Sequence, residues 1–108
     1  MLIFTKTIKT SLLAGAVAGY LLMAICLLFF IGTVNMFDPN TLTKSLSDIG
    51  LPGLLYYCLI TMTTIGYGDI SPVNPLVQTA SGIVGVASQF YMAVIVAVIV
   101  GKLMSKKD

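Results

Sequence analysis

The sequence contains no histidine, glutamate, arginine or tryptophan, and its only acidic residues are four aspartates. A catalytic Ser-His-Asp set, a zinc site or a pair of acid and base carboxylates requires residue types that this chain lacks or has too few of. The composition therefore argues against an enzyme. The lack of arginine also argues against a voltage-sensing helix, because such helices carry several arginines.

Charge of either sign is scarce, and what remains is strongly apolar. Only 9% of the residues are charged and 57% are hydrophobic, whereas a soluble domain carries about 25% charged residues. Two runs, residues 12–34 and 75–101, contain no charge at all. Each is longer than the ~20 residues that a helix needs to cross the hydrocarbon core. We therefore predict a single-domain membrane protein with two transmembrane helices, an outer helix at about 12–34 and an inner helix at about 75–101.

The first apolar run follows Lys6 and Lys9, as the core of a signal peptide would. It exceeds the ~7–15 residues of such a core, and no clear small-residue cleavage site follows it, so a spanning helix is the better interpretation. Cys26 and Cys58 both lie in apolar segments. We predict that they are small buried side chains and do not form a disulfide framework.

The lysines predict the orientation of the chain in the membrane. Five of the six lie near the ends of the chain, and only Lys44 lies between the two apolar runs. The positive-inside rule then places both termini in the cytoplasm and the connecting region outside. We expect a multi-pass protein of the cell membrane.

The region between the two spans divides into an exposed loop and a short helix. Residues 35–50 are polar and carry turn-forming residues, which indicates a surface loop, or turret. Residues 51–63 are apolar, and Pro52 suits the first turn of a helix. A helix of that length measures ~20 Å and is too short to span, so it must re-enter the membrane from one side. Non-helical backbone at membrane depth needs enclosure by protein, and the sequence therefore predicts an oligomer.

The most informative segment follows this short helix. Residues 61–69 read Thr-Met-Thr-Thr-Ile-Gly-Tyr-Gly-Asp. The glycines on either side of Tyr67 allow positive φ at alternate positions, so that the carbonyls of an extended backbone can turn to one side. A row of inward carbonyls can replace the hydration shell of a cation.

With this motif between two spans, the sequence resembles the pore domain of tetrameric potassium channels, most closely the bacterial type with two transmembrane helices per subunit. The resemblance covers about residues 12–101. It implies an all-α membrane protein with a re-entrant pore helix at 51–63 and an extended selectivity filter at 64–68. The assembly it implies is a four-fold ring, a homotetramer in the lipid bilayer.

The resemblance also implies roles for individual residues. The K⁺ ligands would be the carbonyls of Thr64, Ile65, Gly66 and Tyr67, with Gly68 shaping the outer mouth. Tyr56, Tyr57 and Asp69 would support the filter. Some members carry a glutamate where this chain has Ile60, so we expect Asp69 to find another donor, such as the hydroxyl of Tyr56 or Tyr57. The generic alternative for the two tyrosines is packing in an apolar helix.

Residues of the inner helix would line the cavity and form the gate. These are Gln89, Met92, Val96 and Val100, which fall on one helical face at spacings of three and four residues. The two valines would form an apolar constriction. The alternative is that this face meets lipid or another helix. Gly85 and Ser88 are the candidates for a hinge.

The resemblance implies a potassium-selective channel that conducts K⁺ passively and needs no organic cofactor and no nucleic acid. A weakly selective cation channel is the nearest alternative. A non-conducting partner subunit of a larger channel comes next, and a potassium-binding subunit of an uptake system stands below both. The sequence does not indicate what opens the gate.

Overall fold

The computed structural model describes residues 2–105, and within residues 2–9 it describes the side chain of Lys6 only. The chain forms three helices, α1 (Leu2–Phe37), α2 (Leu46–Met62) and α3 (Pro75–Ser105). Within residues 2–105 there is no strand, and one isolated bridge joins Leu42 to Pro72. The predicted all-α class is thus confirmed. The segments Thr10–Phe37 and Pro75–Ser105 are long and apolar enough to cross a membrane.

Both long helices extend beyond the predicted spans. The prediction followed uncharged residues, whereas a helix continues until its backbone is interrupted. Helix α1 ends at Phe37 because Pro39 disfavours helical backbone at the residue before it, Asp38. Helix α3 begins after Asn74, whose side-chain Oδ1 accepts the Leu76 N–H at 2.8 Å. An asparagine cap followed by proline at the first helical position is a strong start signal.

Helix α2 consists of two parts that meet at Gly50. The glycine has φ 65° and ψ −171°, which interrupts the helical backbone. Pro52 therefore lies in the first turn of the second part, as predicted. The part before Gly50 was expected to be loop. It exists because Ser45 caps it, accepting the Asp48 N–H at 3.3 Å.

The buried core lies at the end of the molecule that is remote from the termini, where all three helices meet. Its largest fully buried side chains include Leu27 and Ile31 of α1, Met62 of α2 and Val77 of α3. Cys58 is buried as predicted, but the prediction for Cys26 is wrong, because its side chain is exposed on α1. In a helix that spans a bilayer, apolar side chains can face lipid and need not be buried against the rest of the chain.

Nearer the termini, α1 and α3 pack without α2. The Tyr91 hydroxyl donates to the Ala16 carbonyl at 2.8 Å. The rings of Tyr20 and Tyr91 lie 6.1 Å apart between centroids. Gly19 allows this approach, because a Cβ built at that position would overlap the Tyr91 hydroxyl oxygen.

Candidate functional site

The predicted filter is an extended segment that leaves the end of α2. Positive φ angles occur at alternate positions, 64° at Thr64, 54° at Gly66 and 83° at Gly68. Glycine adopts such angles freely, but a β-branched threonine does not, so Thr64 is locally strained. The sequence anticipated the glycines and not the threonine. The sign of φ thus alternates from residue to residue. Such alternation is the backbone geometry that allows successive carbonyls to turn to one side.

The start of the filter is tied back to the pore helix. The Thr64 N–H bonds the Thr61 carbonyl at 3.2 Å, and the Gly66 N–H bonds the Ile60 carbonyl at 3.1 Å. Residues 63–69 are all exposed on this chain, and the Tyr67 side chain is 69% exposed. The filter thus rests on its own helix along one side and leaves the other side open.

Asp69 receives its hydrogen bond from Tyr56. The Tyr56 hydroxyl donates to Asp69 Oδ2 at 2.8 Å. Ile60 is buried and apolar, so it offers this carboxylate nothing. The expectation that Asp69 finds its donor in a tyrosine hydroxyl is confirmed, and Tyr56 is that tyrosine.

The Tyr57 hydroxyl has a different hydrogen-bond partner from that of Tyr56. Its hydroxyl lies 2.6 Å from Ser81 Oγ on α3, and both side chains are buried. One residue of helix corresponds to a rotation of about 100°, so adjacent tyrosines cannot serve the same partner. The sequence did not identify Ser81.

The segment after the filter pairs with the turret. The Thr43 N–H bonds the Ser71 carbonyl and the Val73 N–H bonds the Thr41 carbonyl, each at 2.8 Å. The Thr43 hydroxyl also accepts the Ser71 N–H at 3.1 Å. This antiparallel pairing connects the loop before α2 to the segment that follows residue 68. The Ser71 hydroxyl in turn donates to the Gly68 carbonyl at 3.3 Å.

A second connection joins the C-terminal end of α1 to the N-terminal end of α3. Asn74 Nδ2 donates to Asp38 Oδ2 at 2.7 Å, and the Asn40 N–H donates to Asp38 Oδ1 at 3.0 Å. These hydrogen bonds, first that of Asn74 and then that of Asn40, hold the pKa of Asp38 below its usual range. Asn74 therefore begins α3 and fixes α1 beside it.

On α3, the predicted cavity residues and the hinge candidates lie on different sides. Gln89, Met92, Val96 and Val100 are all exposed, so neither α1 nor α2 of this chain covers that face. Ser88 is fully buried, and its hydroxyl donates to the Val84 carbonyl at 2.7 Å. Gly85 is half-buried, and a Cβ added there would meet no atom within 4 Å.

Side-chain metal ligation is not available in the part of the chain that the structure describes. No group of three or more His, Cys, Asp or Glu side chains there could hold a metal ion. Backbone carbonyls of the extended segment are the oxygen-rich alternative, and they suit a hard monovalent cation.

Comparison with known proteins is consistent with this architecture. The ion channel family model matches residues 19–105. The chain is 30% identical over 78 residues to potassium voltage-gated channel protein shk-1 of Caenorhabditis elegans, which covers 72% of this chain and 14% of that protein. It is 35% identical over 51 residues to two-pore potassium channel 1 of Arabidopsis thaliana, covering 47% and 14% respectively.

A third relative is the voltage-gated potassium channel regulatory subunit KCNF1 of Homo sapiens, 34% identical over 80 residues, which covers 68% of this chain and 15% of that protein. This chain thus spans only about one seventh of the length of the relatives that it matches. No solved structure matches the chain.

Proposed function

The chain belongs to the ion channel family as a potassium channel pore domain, and from that premise we propose that it conducts K⁺ selectively through the backbone of residues 64–68. The observation that carries the proposal is the alternation of positive φ at Thr64, Gly66 and Gly68. In such a segment a dehydrated K⁺ exchanges water oxygens for carbonyl oxygens. The Thr64 hydroxyl supplies the innermost oxygens, and no reaction is catalysed.

We further propose that the working unit is a homotetramer. A single chain leaves the Tyr67 ring and the filter backbone exposed at membrane depth, where backbone polar groups need protein or water around them. Four copies around one axis would enclose the segment. The connecting region carries three aspartates and one lysine, so its formal charge is −2 per chain and −8 in a ring of four. That charge would raise the cation concentration at the outer mouth, most strongly at low salt.

The exposed face of α3 suits the inner cavity. Met92, Val96 and Val100 would face the axis, and the two valines would form a constriction that closes by dewetting. Gly85 or Ser88 would serve as the hinge above it. In this arrangement both termini lie in the cytoplasm, on the side opposite the turret, and the host membrane is the cell membrane.

Two other functions are alternatives. A weakly selective cation channel requires a loosened filter, but the Tyr56 to Asp69 hydrogen bond ties the filter to the pore helix. One of the relatives is a regulatory subunit, which supports the alternative that this chain is a partner subunit and conducts no current of its own. The selective channel is favoured because residues 64–68 have the backbone alternation that conduction requires.

The test is the reversal potential of the purified protein in a planar bilayer with K⁺ on one side and Na⁺ on the other. We expect a potential close to the K⁺ equilibrium value. Current that reverses near zero would indicate the weakly selective channel, and a stable assembly without current would indicate the partner subunit.

A matched pair of glycine substitutions assigns the current to the filter. A Cβ at Gly66 or at Gly15 would meet no atom within 4 Å, but only Gly66 has a positive φ. We expect Gly66→Ala to abolish selective current because alanine resists that backbone angle. Gly15→Ala, in the helical part of α1, should leave the reversal potential unchanged. Equal effects of the two substitutions would contradict the assignment.

A further inference from the structure

The hydrogen bond between Tyr57 and Ser81 is the only side-chain link between α2 and α3 among the hydrogen bonds of residues 2–105. The two oxygens lie 2.6 Å apart. Tyr57 is 3% exposed and Ser81 is 6% exposed, so water does not compete for either hydroxyl. Such a buried bond fixes the relative position of its partners more firmly than a surface bond does.

The two residues that form this bond line a groove that filter residues also line. A groove of about 370 Å³ separates the filter from α3, and Tyr57 and Ser81 both line it. Its other walls include Thr61 of α2 and the filter residues Thr64 and Gly66. Tyr57 and the filter backbone therefore line the same groove, and the hydrogen bond to Ser81 holds the Tyr57 hydroxyl at the α3 side of that groove.

The same bond joins α2 to the part of α3 that other contacts hold in place. Above Ser81, Val77 is fully buried and Asn74 caps the helix. Below it, the exposed face with the predicted gate begins at Gln89. Ser81 thus lies in the anchored part of the helix, on the filter side of the hinge candidates.

We propose that Ser81 is a positioning residue for ion selection: its hydroxyl holds Tyr57, and Tyr57 holds the back wall of the filter at a fixed distance from α3. The inference rests on the proposed potassium conduction and extends it to a residue outside the filter. Ser81 touches no ion and acts through Tyr57 alone.

A buried serine that only fills space in a helix usually donates its hydroxyl to a carbonyl of the same helix. Ser88 is equally buried on the same helix, and its hydroxyl bonds a carbonyl of its own helix. The Ser81 hydroxyl could likewise donate a hydrogen bond to the Val77 carbonyl, four residues earlier, but it pairs with the Tyr57 hydroxyl instead. If Tyr57 loses its hydroxyl, Ser81 can turn to that carbonyl. The cost to folding is then small, and the change falls on the support of the filter.

The experiment compares the Na⁺ to K⁺ permeability ratio of four variants in planar bilayers. We expect Ser81→Ala and Tyr57→Phe each to raise the ratio about fivefold, the factor that corresponds to one net hydrogen bond. The double variant should raise it no further, because each substitution already removes the whole interaction. Ser81→Thr keeps the hydroxyl and should stay within about twofold of wild type.

Tyr91→Phe is the matched control. It also removes a tyrosine hydroxyl that bonds across two helices, but that bond joins α1 to α3 and lies outside the groove behind the filter. We expect it to lower stability without changing the permeability ratio. If Tyr91→Phe raises the ratio as much as Ser81→Ala, general loosening explains the effect and the inference is wrong.

The outcomes separate this inference from the proposed function. Wild-type protein that is silent or unselective overturns both the function and the inference that rests on it. Selective wild type with an unchanged ratio in Ser81→Ala and Tyr57→Phe overturns the role of Ser81 alone. Additive effects of the two substitutions would also overturn it. If Ser81→Ala does not assemble, Tyr57→Phe decides the question, because it removes the same hydrogen bond from the other partner and leaves α3 unchanged.

Discussion

Gly19→Ala is predicted to weaken the packing of α1 against α3 through one identifiable overlap. A Cβ at Gly19 would overlap the Tyr91 hydroxyl oxygen and would lie 3.1 Å from the ring carbon Cζ. The tyrosine must therefore move, and its hydrogen bond to the Ala16 carbonyl must stretch or break. The position calls for glycine because of this neighbour and not because of its backbone angles.

The expected magnitude follows from three opposing terms. Overpacking costs about 1–3 kcal/mol, and the lost hydrogen bond costs about 1 kcal/mol. Alanine returns about 1 kcal/mol in helix propensity. The net loss in the free energy of unfolding is then about 1–3 kcal/mol.

A double variant isolates the overlap. Tyr91→Phe alone should cost about 1 kcal/mol through its lost bond. In Gly19→Ala/Tyr91→Phe the overlapping oxygen is gone and only the 3.1 Å approach to Cζ remains. The gain in helix propensity of about 1 kcal/mol offsets that close contact, so the double variant should be about as stable as Tyr91→Phe. Such non-additivity is what a shared contact produces.

The assay is reversible unfolding of the detergent- or bicelle-embedded protein, followed by helix separation. Gly15→Ala is the control, because its added Cβ meets nothing within 4 Å. If Gly19→Ala is as stable as Gly15→Ala, or if the double variant is the least stable of the set, the proposed overlap is refuted.

Three further predictions concern the outer mouth. Because Ile60 cannot pair with Asp69, wild-type current should decay slowly during sustained opening, and Ile60→Glu should speed the decay; rapid decay in wild type that the substitution does not change would refute this. Ser71 places no aromatic ring at the mouth, so external tetraethylammonium should block poorly and Ser71→Tyr should improve the block; submillimolar block of wild type would contradict it. The lowered pKa of Asp38 contributes stability that is present above its ordinary value of 3.8 and is lost as the pH falls through its folded value. Acid unfolding of Asp38→Asn should therefore show a smaller loss below pH 3.8 than wild type, and equal curves would refute the role of the Asn74 bond.

The sequence predicted the parts of this fold that depend on composition and backbone chemistry. Uncharged runs identified both long helices, Pro52 marked the regular part of the short one, and Gly66 and Gly68 marked positions where φ is positive. It did not predict the positive φ of Thr64, because a β-branched residue rarely adopts that angle. The turn of helix before Gly50 was missed because a single serine cap forms it.

The side-chain partners were harder to predict because they depend on helix rotation. The sequence could not decide between Tyr56 and Tyr57 as the donor to Asp69, since the choice depends on the rotation of α2 about its axis. Ser81 gave no signal at all, because a serine in an apolar helix is usually satisfied by its own backbone. The roles proposed for the filter and for the cavity face stay predictions until current is measured.

The pairing of the turret with the segment after the filter has a consequence for biosynthesis. During synthesis, Thr41 and Thr43 emerge from the ribosome before their partners Ser71 and Val73. The first span and the pore helix can thus enter the membrane while the outer end of the filter still lacks its hydrogen bonds. The segment after residues 64–68 gains these hydrogen bonds only once residues 71–73 have also emerged, so a chain arrested before residue 71 cannot fasten that segment to the turret.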